Sequence, residues 1–271
     1  MRHPELVLYE MVDGIATLTF NRPDRLNGMT GNMELAYYER LLHADADDMV
    51  KAIVVTGAGK GWCPGVDLAC EPGPADLPMP NEVLPNSTPL AIRKPIIAAI
   101  NGACAGAGFG LAMMCDFRIA AAGAKFTTSF SQRGLVAEYG VAWHLIQIAG
   151  RAVAIDLLMT ARVVLAEEMA DLGLVNKVVS PDQVLPESMA IARHLAENVS
   201  PASMATIKHQ VLLESQMGPE EALAHSNSLM YESLRGADVG EGVLSFLEKR
   251  QANFASLGDG TIFEWMREQK D

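Results

Sequence analysis

A chain of 271 residues with 49% hydrophobic content is long enough for one large domain, or for a domain with a helical appendage, and too apolar to remain disordered. A formal net charge of −12 argues against nucleic acid or an anionic membrane surface as the main partner, while leaving room for a small anionic ligand held by a local cluster of donors. The cysteines, Cys63, Cys70, Cys104 and Cys115, form no Cys-x-x-Cys pair and the histidines form no ligand pair, so reduced, mostly buried, cytoplasmic thiols are expected and a metal site is not. No charged-then-apolar leader opens the chain, and no apolar run reaches the roughly 18 residues of a membrane span.

In chain order, Leu6 to Glu10 and Ile15 to Phe20 alternate as strands, and Asp13-Gly14 between them suits a tight hairpin turn. Asn21-Arg22-Pro23-Asp24 reads as a loop. Met33 to Leu42 reads as a helix, with Leu35, Tyr38, Leu41 and Leu42 at helical spacing. Ala52 to Thr56 is a short buried strand. Gly57-Ala58-Gly59-Lys60-Gly61 follows it, but no Ser or Thr follows the lysine and the glycine spacing is wrong for a phosphate loop, so a plain loop is predicted. Prolines crowd residues 69 to 90, which excludes one continuous helix and predicts a mobile surface excursion over a binding site.

The stretch from Lys94 to Asp116 organises the rest. Ile96 to Ile100 is apolar without alternation, as in a strand buried on both faces. Asn101-Gly102 breaks it. Gly106, Gly108 and Gly110 then alternate with Ala107 and Phe109, and a buried helix begins. Strand, small-residue loop and helix in that order leave backbone N–H groups free at the positive end of a helix dipole, where a bound or developing anion is stabilised. The glycine spacing is not that of a dinucleotide fingerprint. Tight helix–strand packing with no ligand accounts for the same glycines equally well.

Beyond this stretch, Phe117 to Ala120 and Lys125 to Phe130 read as strands, Gly134 to Gly140 as a loop, and Val141 to Ile148 and Ala152 to Met159 as helices parted by Gly150. Leu174-Val175 and Val178-Val179 read as one short strand. Helices are predicted near Pro186–Glu197, Pro201–Gln216, Pro219–Leu234 and Gly240–Lys249. Strands alternating with helices, then helices only, argue an α/β core with a C-terminal helical region, divided at about residues 1–200 and 201–271.

Several pieces in fixed order then carry a resemblance. They are Asn21-Arg22-Pro23 with Leu26-Asn27, Trp62 to Leu68, the central stretch, Ala124-Lys125-Phe126, Ala170 to Val175, and Glu241-Gly242 with Phe246 to Arg250. Together they resemble the crotonase (enoyl-CoA hydratase/isomerase) superfamily. The resemblance implies a core of repeated β-β-α turns, trimers that commonly pair into hexamers, and an acyl-CoA thioester as ligand, with no separate cofactor because coenzyme A arrives on the substrate.

It further implies an oxyanion hole made by the backbone N–H groups of Val66 and Ala107. Arg25, Leu26, Pro64, Asp67 and Leu68 would meet the coenzyme, Pro64 and Leu68 near its adenine and Arg25 near its phosphates. Lys249 would reach those phosphates from a neighbouring subunit. For Arg25 and Lys249 a solvated surface cation is the competing reading. Hydratases of this superfamily use two glutamates, and the matching positions hold Gly110 and Phe130. Ordinary hydration is therefore expected to be lost. Glu138, eight residues past Phe130, sits where the isomerase branch carries a proton-shuttling acid. Phe130, Trp143 and Met113 are expected to line an apolar pocket beside it. As a cap of the helix near Val141, Glu138 would have only a structural role. The predicted activity is double-bond isomerisation of a 3-enoyl-CoA. The alternatives are another crotonase reaction, unusual hydration included, and a non-catalytic acyl-CoA-binding protein.

Overall fold

A computed structural model describes residues 2–69 and 84–257. Most of the proline-rich excursion read between residues 69 and 90 lies outside the described residues; at its end, Thr88–Ala91 forms a short helix, α2.

The strands fall into two sheets, and the chain alternates between them. β1 (Val7–Val12), β2 (Ile15–Phe20), β3 (Ala52–Gly57), β5 (Ile96–Ile100), β7 (Phe117–Ala121) and β10 (Lys177–Val179) form a six-stranded sheet in that spatial order. The β1–β2 hairpin turns at Asp13-Gly14, both with positive φ, and is antiparallel; every later pairing in this sheet is parallel. β4 (Gly61–Cys63), β6 (Ala103–Ala105), β8 (Lys125–Thr127) and β9 (Val164–Leu165) form the smaller sheet. Thus β3 leads to β4, β5 to β6 and β7 to β8, one strand to each sheet. This is the repeated β-β-α turn.

β3 and β5 are buried along their whole length, as their unbroken apolar runs require. Among the helices, α1 (Gly31–Ala46) is capped by the Thr30 side chain on the Met33 N–H and buries Met33, Ala36, Tyr37, Tyr38, Leu41 and Ala44 at helical spacing. α3 (Ala107–Met113) is buried at every residue. α4 (Val141–Thr160) breaks at Gly150, whose φ of 82° and ψ of 167° part the two predicted arms. On length and composition alone α4 is apolar enough to cross a membrane. Its arms nonetheless bury Val141, Leu145, Ala154 and Leu157 in the core and carry Arg151 and Asp156. α6 (Val184–Asn198) packs across the larger sheet against β2, β3, β5 and β7.

Two elements differ from expectation. Leu174 and Val175 are buried but not in a strand: their N–H groups bond back to the Met169 carbonyl, closing α5 (Ala166–Asp171) through Gly173 at φ 76°. Only Lys177–Val179 pairs with β7. The second strand read at Lys125 to Phe130 stops at Thr127, because Thr128 turns its hydroxyl to the Leu157 carbonyl and Ser129 takes a φ of 60°. The C-terminal region is helical as read, with α7 (Pro201–Glu214), α8 (Pro219–Ser233) and α9 (Ala237–Glu248).

Candidate active site

Two backbone turns meet where the sequence places the anion site. Gly65 has a φ of 103° and Gly106 a φ of 49°. A Cβ on Gly65 would stand 3.1 Å from the Ala105 oxygen, and one on Gly106 would stand 3.6 Å from the Gly65 Cα. The approach is tight at Gly65 and ordinary at Gly106, and at both positions it is the positive φ that favours glycine. Beyond Gly65, Met29 and Val66 form an isolated parallel bridge. The Met29 N–H bonds the Gly65 oxygen and the Asp67 N–H bonds the Met29 oxygen, each at 2.8 Å. Because alternate residues of an extended strand point to opposite sides, the N–H of Val66 itself faces away from Met29. Beyond Gly106, Ala107 is the first residue of α3, so its N–H has no acceptor within the helix.

The other glycines of the central stretch serve packing. A Cβ on Gly108 would come within 2.2 Å of the Cys63 oxygen, and one on Gly110 within 2.6 Å of the Tyr139 Cβ. The two readings of this stretch therefore divide between positions: close packing for Gly108 and Gly110, and for Gly106 a turn that leaves donors free.

Around the turns, Pro64, Val66, Leu68, Arg25 and Leu26 are all exposed and form an accessible rim. Leu26 and Asn27 both adopt positive φ, and Asn27 is buried with its Nδ2 on the Gly61 and Ala58 oxygens at 2.7 and 3.0 Å. Asp67 turns inward instead. Its Oδ2 pairs with the Arg22 guanidinium at 2.9 Å, and its Oδ1 accepts the Ala69 N–H at 3.2 Å. Arg22 also reaches the Gly28 oxygen. This mostly buried ion pair ties the Val66 loop to the chain before α1. Lys249 is an exposed, left-handed residue closing α9, on the helical region rather than on the rim.

Glu138 lies in the loop before α4. The cap of that helix is Gly140, with no side chain bonding its first turn, so the Glu138 carboxylate is not used as a cap. It remains solvent-accessible in the single chain, yet enough protein surrounds it to raise its pKa, by burial first and by the charge of Glu34 second. Tyr139, its neighbour, rests against Gly110. The expected apolar pocket is not built as read. Met113 and Trp143 line a cavity of about 270 Å³ between α3, α4 and α7, with His144, Lys208 and His209, and Glu138 is not among its lining residues. Phe130 is buried in the core.

Glu34 is the residue that sequence reading missed. Its Oε1 accepts the hydroxyls of Tyr38 at 2.6 Å and Tyr139 at 2.8 Å. The four-residue spacing of Glu34 and Tyr38 was visible in the sequence; the Tyr139 contact, 105 residues away, was not.

The enoyl-CoA hydratase/isomerase family model matches residues 10–257. The chain belongs to the enoyl-CoA hydratase/isomerase family. It is 36% identical over 260 residues to a 1,2-epoxyphenylacetyl-CoA isomerase of Escherichia coli (strain K12), covering 92% of this chain and 98% of that one. It is 34% identical to a probable enoyl-CoA hydratase of Rhizobium meliloti (strain 1021), over 92% and 98% of the two chains. Its fold superposes on a probable enoyl-CoA hydratase/isomerase of Mycobacterium abscessus with a TM-score of 0.85, at 27% identity and 92% and 98% coverage.

At the two positions where the resemblance expects hydratase glutamates, this family member has no room for one and no carboxylate at the other. Tyr139 and Val141 fill the space a side chain on Gly110 would need, and Phe130 is 4% exposed.

Proposed function

We propose that this family member is an acyl-CoA double-bond isomerase that converts a 3-enoyl-CoA to a 2-enoyl-CoA. The observation that carries the reading is a single environment-shifted carboxylate, Glu138, in the loop packed on the oxyanion helix, with Gly110 and Phe130 at the hydratase positions. Glu138 takes a proton from C2, and the electron pair of that C–H bond moves through the thioester to the carbonyl oxygen. The N–H groups of Val66 and Ala107 receive the charge that develops there, each such donor contributing about 3 kcal/mol. The dienolate then collapses as Glu138 returns the proton at C4, so the double bond moves from C3–C4 to C2–C3 with no net change in atoms or electrons. This shuttle calls on no metal or redox group. The coenzyme part of the substrate lies along the rim, with Leu26, Pro64 and Leu68 as apolar contacts and, as phosphate partners, Arg25 of the same chain and Lys249 of a neighbouring subunit, while Asp67 holds the Val66 loop through Arg22.

The identity to the Escherichia coli enzyme supports a second substrate class for the same site, an epoxide of an arylacetyl-CoA. The test is a panel of 2-enoyl, 3-enoyl, dienoyl and epoxyarylacetyl thioesters, with products identified by mass and by isomer. The expected result is positional isomerisation of the 3-enoyl thioester, with hydration of the 2-enoyl thioester slower by orders of magnitude. Efficient hydrate formation would return the chain to the hydratase branch, and no turnover of any member would favour a binding protein.

The reading also includes a trimer or a pair of trimers. α8 buries no residue within the chain, and Leu223, Met230 and Tyr231 on it and Val243, Leu244, Phe246 and Leu247 on α9 are exposed. Large apolar side chains left exposed on two successive helices mark an interface. Sedimentation at micromolar concentration is expected to give at least three times the 29.1 kDa of one chain; a stable monomer would remove the assembly from the reading.

A further inference from the structure

One carboxylate has no step in the reaction proposed above, yet it is bonded to the loop that carries the reaction's base. Glu34 stands in the first turn of α1, partly buried, and a single oxygen of it accepts two phenolic hydroxyls. Tyr38 is a local partner on the same helix. Tyr139 is not: it belongs to the segment that carries Glu138, and its hydroxyl is the bond that ties this segment to α1.

The backbone makes this tie consequential. Tyr139 holds a φ of 53°, a left-handed conformation that an aromatic residue rarely adopts, so its surroundings must hold it there. Its ring occupies the space over Gly110, three residues past Ala107 on α3. α1 in turn begins directly after Met29 and Thr30, and the Met29 backbone holds the Val66 loop in its bridge. One carboxylate thus links the segment that carries the base to the element that sets the oxyanion turn.

Among the described residues, few charges act on the segment of Glu138 and Tyr139. The Cys63 thiol on β4 is neutral, pushed up to about 12, chiefly by burial. His144, whose ring lies beside Gly140 on α4, is pushed down to about 4 by burial and then by Arg118, and is also neutral near pH 7. Tyr139 keeps its proton, its pKa raised by burial and then by Glu34. Among the described residues, Glu34 is the charge that acts on Glu138, after burial itself.

Resting on the reading of Glu138 as the proton shuttle, we propose that Glu34 is a positioning residue for the reaction: through the Tyr139 hydroxyl it holds the segment that carries Glu138 against α3 at Gly110, and it places a negative charge beside that segment. Glu34 acts through these two groups rather than on the substrate.

The test compares Tyr139→Phe, Glu34→Gln and Glu138→Gln in isomerisation of a 3-enoyl-CoA across pH, with a substrate-free ¹³C NMR titration of the Glu138 carboxyl in wild type and Glu34→Gln. Tyr139→Phe keeps the ring over Gly110 and removes the tie; kcat is expected to fall about tenfold to a hundredfold, the scale of a misplaced catalytic group, with KM little changed. Glu34→Gln keeps an acceptor oxygen and removes the charge. Glu138 then ionises more readily, so its titration and the acid limb of kcat/KM both move to lower pH. A wild-type kcat in Tyr139→Phe, or an unmoved titration and acid limb in Glu34→Gln, overturns the proposal, and loss of melting temperature with an unmoved limb marks Glu34 as structural only. If Glu138→Gln is inactive while the other two variants behave as wild type, the role of Glu34 alone is lost. Full turnover in Glu138→Gln removes the shuttle and this inference with it.

Discussion

Replacing Glu138 by glutamine is expected to leave the fold and coenzyme A binding intact and to lower isomerisation of a 3-enoyl-CoA by about two to four orders of magnitude, the usual contribution of a positioned acid–base group. The amide keeps the size and most of the hydrogen-bonding capacity of the acid, but it cannot take the C2 proton. The stability cost should be small, because the Glu138 side chain caps no helix and is bonded through its backbone, whose oxygen accepts the Val141 N–H at 3.0 Å. Burial and the Glu34 charge both disfavour an ionised Glu138, so the variant relieves an electrostatic conflict instead of breaking a contact. Turnover and melting temperature therefore separate the roles. Near-wild-type kcat would take Glu138 out of the mechanism and leave the isomerase reading without a named base at Gly110 or Phe130.

Gly108→Ala is expected to lower both stability and turnover. Alanine is the better helix former by about 1 kcal/mol, so propensity alone predicts a gain. Packing decides otherwise. A Cβ at this position would lie 2.2 Å from the Cys63 oxygen and 2.8 Å from the Cys63 Cβ, and backbone cannot yield as a flexible side-chain end can. Forcing a methyl group into such a contact costs about 1–3 kcal/mol or more, and α3 must move off β4. The Ala107 N–H moves with it while the Val66 N–H stays on its own loop, and displacement by about 1 Å is enough to lose on the order of a hundredfold in rate. Thermal unfolding and kcat on a 3-enoyl-CoA check the two effects together. An unchanged melting temperature and rate would mean that the approach of α3 to β4 relaxes without disturbing the oxyanion turn.

Some of this was determined by the sequence itself. The unbroken apolar run Ile96 to Ile100 reads as a strand buried on both faces, and Asp13-Gly14 between alternating runs reads as a hairpin turn, because these signals are local and reflect solvent exclusion and φ preference. The alternation of strands and then helices announced the α/β core and its helical C-terminal region. Once the resemblance marks Gly110 and Phe130 as the positions of the hydratase glutamates, the missing carboxylates are equally plain, since that is a matter of residue identity. Tertiary structure decided the rest. β4, β6 and β9 are two or three residues long, too short to show a period, and exist because they pair with one another or with β8. Leu174 and Val175 looked like strand but close α5, because their N–H groups found a carbonyl at the helix end first. Trp143 and Met113 line a cavity that Glu138 does not, which depends on how α3 and α4 pack and not on composition. Asp67 sits within the motif that carries the resemblance, but its carboxylate is held by Arg22, 45 residues away in sequence. Glu34 became visible as a neighbour of the site only when the fold brought Tyr139 to it: a hydrogen bond across more than a hundred residues leaves no trace in local spacing, because it depends on where two separately formed elements come to rest.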